Sequence, residues 1–332
     1  MKFNSQNLKE LVSIYGPSGN ENKIREYIEE QIKDYVDEIT VDAMGNLIAR
    51  KKGDGKRVMI AAHMDQIGLM VTDIDEKGFL RFTNIGGISP YTSLSQKVVF
   101  ENGTVGVISA EPIDDISKLK LSNMFIDIGV NSREEAEKNR NIGDVCIYKT
   151  EYDENENVVF TAYLDDRVGC YVSIEAIKEI KNPKNDLYFV FTVQEEVGLR
   201  GAKTSAYKIN PEVGIALDVT GSGDIPKAKP FSVNLDKGTA IKVKDNSILT
   251  HPKLRQLMID ISKENNIPYQ MEVLEFGGTD SGAIHLTKEG VITGAISIPT
   301  RYVHSTVETA SKNDILDSIK LLVKLLEDDL KF

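Results

Sequence analysis

Leu187-Tyr188-Phe189-Val190-Phe191-Thr192-Val193-Gln194-Glu195-Glu196 is an apolar run that stops on two carboxylates. Seven uncharged residues, most of them aromatic or β-branched, predict a strand from Leu187 to Val193. What surrounds that strand decides the fold. Helix-like Val168 to Ile180 precedes it, and a helical Ala202 to Tyr207, a strand Val213 to Asp218, a helix His251 to Asn265, strands Tyr269 to Leu274 and Val291 to Ile298, and a closing helix from about Lys312 to Leu330 follow. Strands alternating with helices of about 10 to 15 residues predict a parallel or mixed sheet covered by helices on both faces, an α/β fold.

Toward the N-terminus, Leu8, Leu11, Val12 and Tyr15 recur at helical spacing, Gly16-Pro17-Ser18-Gly19-Asn20 breaks the pattern, and a second helical segment runs from Glu21 to Val36. Short apolar runs then follow at Ile39 to Val41, Leu47 to Ala49, Val58 to Ala62 and Ile67 to Val71. From residue 73 to 160 the texture changes to short β-like runs with one helix, Ser132 to Asn139, and the polar turn Glu151 to Asn157 reads as the return linker. The chain is therefore read as one α/β domain, 1–72 plus 161–332, interrupted by a small β-rich domain at 73–160.

The bulk properties narrow the partners. The 332 residues carry 40 Lys+Arg against 51 Asp+Glu, a net charge of −11, without any dense basic run, which argues against nucleic acid and anionic membrane. A hydrophobic fraction of 41% supports a real core and excludes global disorder. Two cysteines make no disulfide framework, Met1-Lys2-Phe3-Asn4-Ser5 leads into the amphipathic Leu8 to Tyr15 without an apolar leader core, and no window is apolar enough to span a membrane. A cytoplasmic location is expected.

In an α/β sheet, ligands bind beyond the carboxyl ends of the strands. Here those ends are acidic or imidazole-bearing: Val58 to Ala62 leads to His63-Met64-Asp65, Phe160 to Leu164 to Asp165-Asp166-Arg167, Leu187 to Val193 to Gln194-Glu195-Glu196, Val213 to Leu217 to Asp218, and Ala295 to Ile298 through Arg301 to His304-Ser305. Buried carboxylates without partners cost several kcal/mol each, roughly, so this convergence calls for a cation. Histidine and carboxylate donors without thiolate suit Zn or Co, with Mn as a third option. His63 and Asp65, two apart on an extended segment, point the same way, so Asp65 can accept the ring N–H of a metal-bound His63. Glu195 and Glu196 diverge, leaving one for a metal and the other for the substrate water. That divergence disfavours a glycosidase pair, whose carboxyls flank one bond.

Ala62-His63-Met64-Asp65, Leu164-Asp165-Asp166-Arg167, Gln194 to Ala202, Leu217-Asp218-Val219, Gly277-Gly278-Thr279-Asp280-Ser281-Gly282-Ala283 and Ile298 to Ser305, in that order, resemble the tetrahedral aminopeptidases of the glutamyl aminopeptidase family over essentially the whole length. The same family includes chains labelled endoglucanase or cellulase. The resemblance implies the two-metal aminopeptidase fold, short peptide substrates and two divalent ions. Asp165 would bridge them, Glu196 and His304 complete one site, and His63 and Asp218 the other, with Glu195 as general base. It also implies a cis peptide between Asp165 and Asp166, and dimers assembled into a hollow dodecamer in which 73–160 serves oligomerisation. One departure is Gln66, where the family usually has Glu.

Gly278 and Thr279, in a loop ahead of a helical Ser281 to Leu286, are candidate substrate contacts; helix capping is the plainer alternative. Arg301 is either a salt-bridge partner or a substrate contact, and as the latter would favour an acidic N-terminal residue. His251 and His285 read as structural or exposed. A serine mechanism lacks any Gly-x-Ser-x-Gly elbow. A non-catalytic relative is disfavoured because every ligand and Glu195 are present.

Overall fold

A computed structural model describes residues 2–228 and 231–330. Its large sheet runs in the order Glu38–Val41, Leu47–Lys51, Asp186–Thr192, Arg57–His63, Val213–Thr220, Ile292–Arg301, Glu308–Ser311, Val158–Thr161, Asp153–Glu154, with Thr239–Lys244 and Tyr269–Val273 attached beside Ile292–Arg301. The four central strands are mutually parallel, so their carboxyl ends open on one side, with Thr192 in register with His63 and Asp218 with Ser297. The two ends of this strand order are antiparallel, whereas Tyr269–Val273 pairs in parallel with Thr239–Lys244. The fold is the expected mixed α/β sheet.

Alternation along the strands builds a core on each face. Val58, Ile60 and Ala62 face the helices Ser5–Ser13, Asn22–Ile32, Leu164–Glu179 and Lys312–Glu327, packing with Leu8, Ile28, Val168 and Ile319. Met59 and Ala61 face the other way, toward Ala202 and Ala206 of the helix Arg200–Ile209 and Ile284 of the short helix Ser281–Ile284. Phe189 and Phe191, wholly buried, each contribute roughly 1.5–3 kcal/mol by burial, which anchors the strand that ends at the site. Among the described residues no helix is long and apolar enough to cross a membrane.

The insertion is a closed barrel of Gly68–Ile74, Leu80–Ile85, Met124–Asp127, Val105–Ala110, Lys97–Phe100 and Val145–Tyr148, with its own core of Leu69, Val71, Val98, Phe100 and Ile126. Its limits differ from the expected 73–160. The run at Ile67 belongs to a strand that continues to Ile74 and pairs with Leu80–Ile85, whereas Asp153–Glu154 and Val158–Thr161, expected in the insertion, extend the large sheet. Hydropathy marks such strands without naming their partners. The strand Thr239–Lys244 also went unmarked, because Lys242 and Lys244 interrupt its apolar pattern.

Candidate active site

His63 is the last residue of its strand. Its ring lies between two acids, Nε2 at 3.0 Å from Asp165 Oδ1 and Nδ1 at 3.2 Å from the Asp65 carbonyl oxygen and 3.4 Å from Asp65 Oδ1. Asp65 does more than face His63. Its Oδ1 accepts the Glu195 N–H at 3.0 Å, and its Oδ2 accepts the Glu196 N–H at 3.2 Å and the Ser18 O–H at 2.6 Å. Burial pushes this carboxyl up, but His63, Ser18 and the backbone donors outweigh it and hold Asp65 below its ordinary value.

The Asp165–Asp166 peptide is cis, and both residues leave helical geometry at the start of Leu164–Glu179. The two side chains therefore part. Asp165 offers its second oxygen to His304, Oδ2 at 3.1 Å from Nε2, and so lies between the two imidazoles. Asp166 turns inward, accepting the His63 N–H at 3.2 Å and the Gly169 N–H at 3.1 Å. A Cβ at Gly169 would stand 2.3 Å from that carboxylate, so only glycine fits there. His304 Nε2 is also 3.3 Å from Glu196 Oε1.

Glu195 and Glu196 diverge as adjacent residues should. Glu196 reaches His304, and Glu195 reaches the other side, its Oε2 3.9 Å from His63 Nε2. The turn that presents them has left-handed backbone at Gln194 and Leu199, with Gly198 between. Burial, then the surrounding carboxylates, push Asp218 and Glu195 well above the usual range, while His63 opposes both shifts.

The donor set fits divalent metal. Ligand atoms of His63, Asp165 and Glu196, and of His63, Asp166 and Asp218, each lie within 4.8 Å of one another. The second grouping names Asp166, but both of its oxygens already accept backbone N–H groups, whereas those of Asp165 face only side-chain donors apart from the cleft. Glu196 Oε1 is buried without any hydrogen-bond donor at bonding geometry. So many acids buried together are tolerable only with compensating positive charge.

These residues open into a cleft of about 610 Å³ that Gly278 and Thr279 also line. Arg301 points elsewhere: Nε and Nη2 grip Asp224 at 2.8 and 2.6 Å, and it does not line the cleft. Gln66 likewise does not line the cleft. It fastens the loop after the first helix, accepting the Gly16 N–H at 2.9 Å through Oε1.

Three contributors escaped the sequence reading. Glu308 is buried with Oε1 accepting the His304 N–H at 2.7 Å and Oε2 the Asp165 N–H at 3.1 Å, so one carboxylate holds two candidate ligands by their backbones. Burial, and next the Asp165 charge, push it up to about 8, against the pull of the N–H donors. A carboxylate inside the β-like Val307 to Ala310 was the available signal. Asp280 accepts the Thr192 hydroxyl, raises the Glu195 carboxyl by its charge, and is itself pushed by burial up to about 6. Gly87, from the barrel, lies against His304; a Cβ there would stand 2.8 Å from Nδ1, so the insertion forms part of the site wall.

Parallel strand ends that gather two imidazoles and several carboxylates beside an open cleft present the donor set of a metal-dependent hydrolase. Comparison with known proteins agrees with that assignment. The family model for M42 glutamyl aminopeptidase matches residues 45–321. A protein of Acetivibrio thermocellus, provisionally named an aminopeptidase, is 56% identical over 96% of this chain and 97% of its own. Among solved structures, an aminopeptidase from the archaeon Desulfurococcus kamchatkensis superposes with a TM-score of 0.94 at 39% identity, covering 97% of this chain and 94% of that one. The Pyrococcus horikoshii TET1 peptidase, described as assembling into a tetrahedron or a large octahedral shell, gives 0.88 at 38% identity, covering 97% and 98%. The chain belongs to the M42 glutamyl aminopeptidase family.

Proposed function

We propose that this aminopeptidase releases N-terminal residues from short peptides with two divalent metals, Zn or Co ahead of Mn, held by His63, Asp165, Glu196, Asp218 and His304. The supporting observation is the Asp165 carboxylate, which offers one oxygen to each imidazole at 3.0 and 3.1 Å. When bound, the metals would polarise the scissile carbonyl and make water a competent nucleophile near neutral pH. Every other task falls to side chains. Glu195, buried at the cleft and spared from ligation, takes the water proton and returns it to the leaving amine. Asp65 orients His63 through Nδ1 and holds the Glu195–Glu196 turn by both N–H groups. Gly278 and Thr279 line the cleft wall and contact substrate.

With Arg301 closed by Asp224, a preference for acidic N-terminal residues has no carrier at that position. The protein acts in the cytoplasm as a homo-oligomer, dimers building a dodecamer of about 443 kDa through the barrel domain, as closed symmetry favours. The test is hydrolysis of aminoacyl anilides: activity lost on chelation and restored by Co or Zn supports the proposal, and full activity in chelated, metal-free protein refutes it.

A further inference from the structure

The cleft walls carry information about the substrate that the metal-ligand candidates do not. Leu274 and Phe276 line the same cleft as those candidates, and a second cavity of about 400 Å³ shares these two residues and is lined further by Ile225 and Val273. Two of these apolar side chains are left in the open, Phe276 at 68% and Val273 at 48% exposed. The charges near them are already committed. Lys242 is the one Lys or Arg among the described residues lining the cleft, and it is buried against Glu272 and 3.5 Å from Asp245. The cleft carboxylates are those assigned above to metal and base, and in the second cavity the one charged group among the described residues is the exposed Glu275, a rim carboxylate of little strength in water.

We infer that this apolar wall receives the side chain of the N-terminal residue, and that the enzyme selects large apolar residues such as leucine, methionine and phenylalanine over acidic or basic ones. An acidic side chain finds no free cation there among the described residues, and a basic one would lose hydration for a single solvated carboxylate. An apolar side chain replaces water on Leu274 and Phe276, and each added methylene in such a pocket is worth about 10- to 200-fold. The inference rests on the aminopeptidase reading above but not on the identity of its base.

Two readouts separate the two. Kinetics on leucyl, phenylalanyl, alanyl, glutamyl and lysyl anilides with the metal-loaded enzyme should give kcat/KM for the first two at least about tenfold above the rest. Calorimetry with free leucine, phenylalanine, glutamate and lysine should give the same order without turnover. Leu274→Ala should cut the phenylalanyl-to-alanyl ratio, and Leu274→Lys should raise glutamyl relative to leucyl. Leucine preferred in binding, with no anilide cleaved, would support the pocket and overturn the assigned chemistry. Glutamate or lysine bound as tightly as leucine, no measurable binding of any of the four, or discrimination untouched in Leu274→Ala would overturn the inference.

Discussion

Replacing Glu308 by Gln separates holding a ligand from being one. Its two oxygens accept the His304 N–H at 2.7 Å and the Asp165 N–H at 3.1 Å, both buried. Glutamine has one oxygen to offer, and its amide nitrogen must then face a backbone donor. Even a protonated glutamate could still accept there through its hydroxyl, which an amide nitrogen cannot do. Losing one such bond and stranding a buried N–H costs about 2–4 kcal/mol. If half or more of that falls on the arrangement of Asp165 and His304, metal affinity drops about 10- to 100-fold, as for other groups that orient ligands. Competition between the protein and a chromophoric chelator for Co, run beside thermal unfolding of the metal-free protein, measures both parts. Co affinity within twofold of wild type would refute the assignment of Glu308 as the clamp of two ligands, whatever the melting temperature does.

Asp65→Asn should weaken metal binding by a similar 10- to 100-fold, roughly, because the amide nitrogen must face donors from Ser18 and the Glu195–Glu196 turn; unchanged Co titration curves would count against it. The Arg301 pair holds Asp224 at about 2, below the unfolded value, so its stabilisation is present above about pH 4 and is lost as pH falls toward 2. The stability gap between wild type and Asp224→Asn should accordingly narrow across that window, and a gap widening on acidification would contradict the pairing. Light scattering should give a particle of about 443 kDa, and a strict monomer at micromolar concentration would exclude the assembly while leaving the chemistry untouched.

Much of this was legible because the strands are pure. Val58 to Ala62, Leu187 to Val193 and Val213 to Leu217 are unbroken apolar runs, so the acids at their ends had to lie together at the carboxyl edge of a parallel sheet. The cis Asp165–Asp166 peptide followed from the resemblance rather than from the residues themselves. What stayed hidden depends on pairing. Nothing local tells that the strand beginning at Gly68 joins a barrel while Val158–Thr161 returns to the sheet. Glu308 lies in a short strand whose function appears only when its neighbour in space, Asp165, is known. Arg301 had two readings in sequence, and the choice rested on Asp224, distant along the chain.

The division of labour between Glu195 and Glu196 is the centre of the account, and Glu195→Gln tests it with two numbers from one preparation: metal per chain by mass spectrometry and turnover of a leucyl anilide. Glu195 is assigned to the water proton and Glu196 to metal, so the variant should keep the wild-type metal content while turnover falls by roughly 10² to 10⁴. Metal lost with residual turnover preserved would contradict the account and exchange the two glutamates.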